Sequence, residues 1–408
     1  MKDTTLFTAA LGLKKPWYIK SVELKPTTSD TQELHIEVDH DKRVKFNYEG
    51  DMCSVYDHQP RTWRHLRFFQ HDCYLHARVP RIKTSNGKIR LVEVPWSDPS
   101  SSFTLLFEHN IMRLIDGGMS ASAAGRHYEM DSRRVFGIVS RHVSRALSSQ
   151  PLATVKELSV DETSRKKGHN YLTIMCDRIA KKVVGVSEGK NSDAFGEALV
   201  DMEVRGADRR LVKTVTMDMS RSYISAANDY IPKADIVFDR FHVVKLLQQA
   251  IDDIRRTDQR EYREAFKRSR YLWLRNNETL SEEQKARVNE LSKAFPNIGE
   301  AYRLKELFRE VWDAAEHNNR IGPLNAWIKQ ALASGLKPIA DFVKTLKAHW
   351  YGIKTYFKRR ATNAYAENVN LKIQQIKRVA RGYRNVQHFM LMIYFHLGGL
   401  DLGIHYKR

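Results

Sequence analysis

Polar and apolar residues alternate along several short stretches in the first hundred residues of the chain. The segments ELHIEV (33–38) and CYLHARV (73–79) both alternate in this way, and glycines and prolines stand between them. This pattern is typical of strands that have one buried face. A Pro/Ser-rich stretch at 95–103 then marks a boundary. We therefore predict a small β-rich domain over residues 1–100.

From residue 105 to residue 147 the apolar positions follow a helical spacing instead. Residues 119–147 fit two helices joined by a short turn, with Ser132 as the cap of the second helix. The buried stripe of that helix is expected at Val135, Ile138, Val139 and Val143. The pattern fits a DNA-binding helix-turn-helix domain at 103–150, and it fits an ordinary helical hairpin with a solvated basic face equally well.

Residues 155–240 combine both patterns. Three strands come first, and a helix, a strand, a helix and a final strand follow them. This order predicts a mixed α/β sheet whose later strands can pair in parallel. The strands are expected at 157–161, 171–176, 182–187, 212–217 and 235–238, and the helices at 192–203 and 222–230.

Beyond Asp239 the apolar spacing stays helical for more than a hundred residues. Ser281 and Gln284 have the spacing of a capping box, which predicts that a helix begins there. A final helix is expected from about residue 361 to residue 380. Four tryptophans are expected to pack a helical bundle in this region: Trp273, Trp312, Trp327 and Trp350.

Composition indicates the kind of partner. The chain has 408 residues, 42% of them hydrophobic, which is enough for two or three domains with cores of their own. Its 68 Lys and Arg against 48 Asp and Glu give a net charge of +20. A protein this basic most often binds a polyanion, and nucleic acid is the commonest one. A basic surface kept for solubility is the alternative.

Cysteine usage and hydropathy bear on the compartment. Three cysteines cannot form a disulfide framework, which favours a reducing compartment. The first 13 residues are too short for a signal core, and no stretch reaches the roughly 18 apolar residues that a membrane span needs. We expect a cytoplasmic protein that has no membrane partner.

Predicted strands end on aspartates. Asp161 ends the first strand of the α/β region and Asp218 ends the fourth, so their carboxylates converge if these strands are neighbours. Two carboxylates that close need a cation between them, and hard oxygen ligands suit magnesium. The cap of the following helix is the alternative role for Asp218.

A single acid stands in a strongly basic region near the end of the chain. Between Ile353 and Arg384 nine residues are Lys or Arg, and the only acid is Glu367. Its isolation favours a functional role over an ion pair within the helix. A helical projection places it on one polar face, made of Asn363, Glu367, Asn370, Gln374, Lys377 and Arg381.

Taken together, these segments resemble the insertion-sequence transposases of the ISL3 group, which have a DDE catalytic domain. The resemblance covers nearly the whole chain. The segments that carry it are LFTAALGLKKPW, VYDHQPRTWRHLRFFQHDCYLHARVPR, VPWSDPSSSFT, VDETSRKKGHNYLTIMCD, TMDMSRSY, FDRFHVVK and NAYAENVNLKIQQIKRVARGYRN.

The resemblance implies an α/β fold with an RNase H-like mixed-sheet catalytic domain. Its first part would cover residues 155–240 and its final helices residues 356–408. A large all-helical insertion at 241–355 would interrupt it, and the β-rich and helix-turn-helix domains would precede it.

The resemblance also implies the site. Asp161, Asp218 and Glu367 would be the catalytic, metal-binding triad for Mg²⁺ or Mn²⁺. Asp239 and His242, in the DRFH segment, would be a supporting pair that braces it.

One departure concerns zinc. Members of the group carry an N-terminal zinc-binding element, but residues 46–53 and 81–88 lack the expected pairs of cysteines. Cys53, His58, Cys73 and His76 could regroup as ligands, yet Cys73 and His76 should fall on opposite faces of a strand. Zinc is therefore not expected.

The function that follows is that of a DDE transposase. It would bind the terminal inverted repeats of an insertion sequence, cleave the DNA ends and join them to target DNA, as a homodimer or higher oligomer in the synaptic complex. A repressor derived from a transposase, and another nuclease of the same fold, are the alternatives. We expect it at the nucleoid of a prokaryotic cytoplasm. The expected DNA contacts are Arg64, Arg133, Arg134, Arg141, Lys372, Lys377, Arg378 and Arg381.

Overall fold

The computed structural model describes residues 3–27, 32–166, 168, 170–318, 321–359 and 364–403. The chain divides into two compact units, Met1–His142 with Asp401–Arg408, and Val143–Leu400. None of the helices in the described ranges combines the length and the apolar character that crossing a bilayer requires.

The first unit contains a twisted sheet and three consecutive helices. Its elements in chain order are α1 (Asp3–Ala10), β1 (Trp17–Pro26), β2 (Gln32–His40), β3 (Phe46–Tyr48), β4 (Asp51–Cys53), β5 (Val55–Phe68), β6 (His71–Lys83), β7 (Ile89–Leu91), α2 (Leu105–Asp116), α3 (Ala121–His127) and α4 (Ser132–Ser149), the last of which continues into the second unit.

The sheet has the order β1-β2-β6-β5, with β7 paired to β6. Strands β2 and β6 are parallel, and the other pairs are antiparallel. Burial alternates from residue 73 to residue 79 of β6, because Cys73, Leu75, Ala77 and Val79 point into the core of this unit while the residues between them are more exposed. The alternation predicted for this region is confirmed, although the strands are longer than the sequence pattern indicated.

The helices α3 and α4 match the predicted pair with one correction. Ser120 caps α3, because its hydroxyl accepts from the Ala123 amide over 3.1 Å. Ser132 does not cap α4 as predicted. The carboxylate of Asp131 accepts from the Arg133 amide over 2.7 Å and fills that place, so Ser132 is the first helical residue. All four residues of the predicted stripe are fully buried: Val135, Ile138, Val139 and Val143.

The second unit is a mixed α/β sheet followed by many helices. Its elements are β8 (Glu157–Lys166), β9 (Asn170–Asp177), β10 (Lys182–Glu188), α5 (Ser192–Val204), β11 (Thr214–Met217), α6 (Arg221–Tyr230), β12 (Asp235–Phe238), α7 (Arg240–Glu261), α8 (Arg270–Leu274), α9 (Glu282–Ala294), α10 (Pro296–Asn318), α11 (Gly322–Ala333), α12 (Lys337–Ala348), α13 (Trp350–Arg359), α14 (Ala364–Val379) and α15 (Val386–Leu397).

The sheet order is β10-β9-β8-β11-β12. Strand β9 is antiparallel to β8 and β10, whereas β11 is parallel to both β8 and β12. The predicted succession of three strands, helix, strand, helix and strand is therefore confirmed. The sheet and the helices that follow it share one hydrophobic core, which runs from Leu152 to Phe357.

A glycine determines how the helices meet the sheet. Helix α13 packs on β12, and a Cβ atom on Gly352 would overlap the Phe238 ring. The helix can therefore reach the strand only without a side chain at this position. Ser281 forms the predicted capping box with Gln284. Of the four tryptophans, Trp273, Trp312 and Trp327 are buried and Trp350 packs against the same core.

Candidate active site

Three aspartates stand at the same level of three adjacent parallel strands. Asp161 lies in β8, Asp218 follows β11, and Asp239 follows β12. The register pairs Met217 with Phe238, so one further step places Asp218 beside Asp239. It also pairs Thr216 with Ser159, so two further steps place Asp218 beside Asp161. Neighbouring strands lie about 4.8 Å apart. Three carboxylates are thus collected at one level of the sheet, although β8 continues past Asp161 to Lys166 and does not end there as predicted.

Asp161 is held on both of its oxygens. Its Oδ1 accepts from the Glu162 amide over 2.8 Å, and its Oδ2 accepts from Nδ2 of Asn370 over 2.7 Å. Burial raises the pKa of Asp161 to about 6, and the charges of Asp218 and Asp239 act in the same direction. Crowded, half-buried carboxylates of this kind favour binding of a cation.

The two carboxylate oxygens of Asp239 have different surroundings. Its Oδ1 caps α7 by accepting from the Phe241 amide over 3.4 Å, while its Oδ2 is buried and finds no hydrogen-bond partner among the described residues. Burial raises the pKa of this carboxyl, and the charges of Glu367 and Asp218 add to the effect. His242 opposes the shift at both Asp239 and Asp161, so it lies within electrostatic reach of both.

Asp218 does not cap the helix that follows. Its Oδ1 accepts from the Ser220 amide over 3.0 Å, which shapes the turn out of β11. The cap position of α6 belongs to Ser220 itself. The capping alternative for Asp218 is therefore not what the structure shows.

Helix α14 lies along β8 with its polar face inwards. Asn370 donates to Asp161, Gln374 donates from Nε2 to Thr163 Oγ1 over 3.0 Å, and Lys377 donates from Nζ to the Ser164 carbonyl over 2.8 Å. Glu367 is exposed and stands one turn before Asn370 on that face. The sequence grouped these residues correctly. Asn363 and the beginning of the expected helix lie outside the described residues.

Glu367 and Asp239 line the same pocket. The pocket has a volume of about 510 Å³, and the side chains of Phe308 and Tyr356 line it from the helical region. Phe241, at the start of α7, also lines it and is 57% exposed. Asp239 and Glu367 thus border the same space.

The donor atoms fit a hard divalent cation. Carboxylate oxygens are the ligands that Mg²⁺ and Mn²⁺ prefer, and the buried, unpartnered Oδ2 of Asp239 is the kind of atom that an ion satisfies. Within the described ranges, no three His, Cys, Asp or Glu side chains are close enough to form a ready metal-binding group. The fit therefore rests on donor type and burial, not on a preformed cage.

Two of the predicted DNA contacts are engaged inside the first unit. Arg64 donates to the Tyr128 carbonyl over 2.7 Å and to Asp72 over 2.9 Å. Arg141 is hydrogen bonded to Glu108, whose side chain is completely buried and also contacts His142 over 2.7 Å. Both arginines tie elements of this unit together.

Arg133 and Arg134 differ from those two. The side chain of Arg133 is 88% exposed, and its guanidinium group is 3.2 Å from Asp131 at the start of α4. Arg134 stacks over the Phe103 ring at 4.7 Å and donates to Ser102 Oγ over 3.4 Å.

The basic residues around α14 do not share one face. Lys377 is turned to β8, whereas Lys372 lines a cleft elsewhere and Arg378 is exposed. Arg381 was expected on the Glu367 face, but α14 ends at Val379 and Arg381 has a left-handed φ of 56° in the turn that follows. The helical projection therefore extended too far.

Cys73 and His76 do not lie together in the structure. Cys73 is buried in the core, where burial raises the pKa of its thiol to about 12. His76 lies on the other face of β6, where its ring nitrogens stand 2.8 Å from His35 and 2.9 Å from Thr62. Cys73 and His76 thus occupy opposite faces, as predicted.

Comparison with known proteins identifies the family. The family model for the DDE domain of ISL3 elements, described as a transposase, matches residues 158–393, more than half of the chain. The chain belongs to the ISL3 family of DDE transposases. Asp161, Asp218, Asp239 and Glu367 all fall inside the matched range.

Two curated relatives agree. The transposase for insertion sequence element IS1001 of Bordetella parapertussis is 27% identical over 353 residues, covering 84% of this chain and 86% of the relative. The transposase for insertion sequence element IS1557 of Mycobacterium tuberculosis is 25% identical over 433 aligned positions, covering 98% and 96%.

Family membership makes this protein a transposase, an enzyme that acts on DNA and whose DDE domain works with divalent metal ions. A second model, the zinc-finger of transposase IS204/IS1001/IS1096/IS1165, matches residues 51–84. That match counts against our expectation that zinc is absent. The matched stretch contains two cysteines, Cys53 and Cys73.

Sequence reasoning missed some functional features. It gave Asn370 no role, although the residue donates to Asp161, and it did not place Asp239 level with the other two aspartates. The signals were present, because Asp239 also ends a predicted strand and Asn370 shares the Glu367 face.

Proposed function

We propose that this transposase binds the terminal inverted repeats of an insertion sequence, cleaves the DNA at the element ends and joins the freed 3′-hydroxyls to target DNA. The observation that carries the proposal is the alignment of Asp161, Asp218 and Asp239 on adjacent strands beside the helix of Glu367. A repressor without catalysis would not need this collection of carboxylates.

The fold of the second unit is consistent with the same proposal. Three antiparallel strands followed by two parallel ones fit an RNase H-like core formed by residues 155–240 and 356–408. Residues 241–355 would be its helical insertion, although α13 crosses the boundary at 355 as one continuous helix. Helices α2 to α4 would be the helix-turn-helix domain at 103–150, preceded by the β-rich domain at 1–100.

Asp161, Asp218 and Glu367 would hold the divalent ions. Bound Mg²⁺ or Mn²⁺ would supply charge stabilisation to the attacking and leaving oxygens of a phosphodiester. Asn370 holds the Asp161 carboxylate in one orientation. Asp239 and His242 would support the same edge, and their charges act on Asp161. The Asp161 carboxyl, with a pKa of about 6, is mostly ionised at neutral pH and so available as a ligand.

The arginines predicted to contact DNA differ in exposure and in their partners within the protein, so we assign them different roles. Arg133 is at the start of α4, where a recognition helix reads base edges, and its exposure leaves it able to reach them. Arg134 and the exposed Arg378 would contact phosphate. Arg64 and Arg141 would support binding by bracing the domain that carries α4.

We also propose that the N-terminal sheet folds without zinc, despite the family match. Hydrogen bonds close the two turns that stand at the expected ligand pairs. In one, the Gly50 amide donates to Asn47 Oδ1 over 3.0 Å. In the other, Thr84 Oγ1 donates to Asn86 Oδ1 over 2.6 Å.

The assembly that acts would contain at least two copies of the chain, because two element ends must be cut in concert at the prokaryotic nucleoid. Light scattering of the protein on paired end duplexes measures this directly. A complex with a single copy per pair of ends would contradict it.

Cleavage of a labelled end oligonucleotide tests the chemistry. Asp161→Asn, Asp218→Asn and Glu367→Gln should abolish cleavage in Mg²⁺ while end binding persists. Asp239→Asn keeps the oxygen that caps α7 and should retain reduced but measurable activity, best seen in Mn²⁺. An inactive Asp239→Asn together with an active Asp218→Asn would mean that the second ligand has been placed on the wrong strand.

A further inference from the structure

The second unit contains another cleft, apart from the pocket that Asp239 and Glu367 line, and it also borders α14. It has a volume of about 690 Å³ and lies between α14, the turn that joins β9 to β10, and the end of α15. The basic side chains that line it are Arg178 and Lys181 from the turn, Lys372 from α14 and His396 from α15.

Helix α14 presents different faces to this cleft and to the carboxylates. Asn370 and Gln374 contact β8 near Asp161, whereas Tyr365 and Lys372 line the cleft. At about 100° per residue, these two faces are roughly half a turn apart. Since a helix is about 10 Å across with its side chains, a phosphate held by Lys372 is not the phosphate that reacts beside Glu367.

The cleft is positively charged. None of the described residues that line it is acidic. Arg178 is paired with Glu157 over 2.6 Å, which balances part of its charge. Lys181 and Lys372 are both exposed, and neither forms an ion pair with a residue of the described ranges. Two ammonium groups therefore remain for an anionic partner.

We propose that this cleft holds the phosphate backbone of the target DNA, the duplex to which the cleaved end is joined. The inference rests on the proposed function, which requires two DNA partners. Lysine ammonium groups bind phosphates as point charges and read no bases, which suits a partner whose sequence varies. The separation from the carboxylates suits a duplex other than the strand being cut.

The test compares two double variants. Lys181→Gln/Lys372→Gln removes both charges and keeps side chains of similar length. Lys329→Gln/Lys344→Gln removes two exposed lysines from α11 and α12 and serves as the matched control. Each protein is given a pre-cleaved end duplex and increasing amounts of a target plasmid, and the joined product is measured. Cleavage of an uncut end and affinity for a random duplex at several salt concentrations are measured in parallel.

For Lys181→Gln/Lys372→Gln we expect the target concentration for half-maximal joining to rise about fivefold or more, with joining restored at saturating target. The slope of log affinity against log salt for the random duplex should become shallower by about 2, because each lost phosphate contact removes about 0.9. The Lys181→Gln single variant, which keeps Lys372, should cleave the uncut end at the wild-type rate. The control variant should match the wild type in every assay.

Unchanged target dependence together with an unchanged salt slope would overturn the inference. A Lys181→Gln single variant that loses end cleavage or end binding would overturn it too, because the cleft would then hold end DNA. Failure of the proposed function would look different, since the wild type itself would neither cut nor join. The random-duplex measurement reports on the cleft even then, because it does not depend on catalysis.

Discussion

Asn370 donates a hydrogen bond from Nδ2 to Oδ2 of Asp161 over 2.7 Å, although 209 positions separate the two residues in the chain. The Oδ1 atom of Asn370 is buried and has no partner among the described residues. The side-chain amide of Asn370 therefore fixes the carboxylate of Asp161 in β8, and its own oxygen remains as a hydrogen-bond acceptor nearby.

We expect Asn370→Ala to raise the Mg²⁺ concentration needed for half-maximal end cleavage by about tenfold. Residues that orient a ligand typically influence metal affinity by about 10- to 100-fold. Gln374→Ala is the matched control, since it removes a bond from the same helix face to Thr163. A slower Asn370→Ala enzyme with an unchanged Mg²⁺ requirement would show that the residue supports only the fold.

The pKa of Asp161, raised by burial to about 6, predicts how activity depends on pH. Because a protonated carboxyl is a poor metal ligand, end cleavage at a low, fixed Mg²⁺ concentration should fall about tenfold per unit below this value. Saturating Mg²⁺ should move the fall to lower pH, since the ion competes with the proton. A profile that is flat between pH 5 and pH 7 at low Mg²⁺ would contradict this.

The same raised pKa has a destabilising effect on the fold. Between the ordinary pKa of 3.8 and about 6, the folded chain retains a proton that the unfolded chain has released. The free energy of unfolding therefore falls as pH rises through this window. Asp161→Asn removes the buried charge and should stabilise the metal-free protein at pH 7.5 by up to about 3 kcal/mol. Urea unfolding measures the difference, and a variant no more stable than the wild type would refute the prediction.

Arg133 and Arg141 should respond differently to alanine substitution. Arg133→Ala should lose the preference for end DNA over random DNA without a change in stability, because its side chain is almost fully exposed. Arg141→Ala leaves the buried Glu108 with less compensation and should lower stability by roughly 2–3 kcal/mol. Binding to both duplexes, followed beside thermal unfolding, separates the two roles. Equal loss on both duplexes would mean that Arg133 contacts only phosphate.

Zinc content is open to direct measurement. We expect less than one zinc per chain in protein purified without added metal, and an unchanged unfolding transition in the presence of a chelator. The physical reason is that Cys73 is packed in the core with a pKa near 12, so thiolate formation there is costly. One tightly held zinc per chain would support the family match instead and point to Cys53 and Cys73 as ligands.

The local pattern of apolar and polar residues was sufficient to predict the α/β sheet and to group the residues of the candidate site. Apolar stretches that end on Asp161 and Asp218 indicate buried parallel strands with carboxylates at a common edge, and the register bears this out. The polar face of α14 followed from helical spacing in the same way, since Asn370 and Gln374 both contact β8. Such features depend on neighbours in the sequence.

Features that depend on distant partners were not predictable. Nothing near Arg141 in the sequence shows that it would meet Glu108, so it was taken as a DNA contact. The helix cap was misplaced because Asp131 and Ser132 are both good capping residues, and only the backbone decides between them. The predicted end of α14, at about residue 380, is within one residue of Val379, so Arg381 should not have been placed on the helical face. Gly382, with a φ of 92°, is a common helix-terminating signal that supports the same end.

The span between Asp161 and Asn370 also has a consequence for synthesis on the ribosome. A nascent chain exposes the residues of α2 to α4 early, but it cannot complete the carboxylate edge until α14 has emerged. Messages that are cut short, or translation that stops before residue 364, would yield products that occupy element ends without cutting them. With end binding in the N-terminal domains, as proposed, such incomplete copies would compete with the full-length transposase for the element ends.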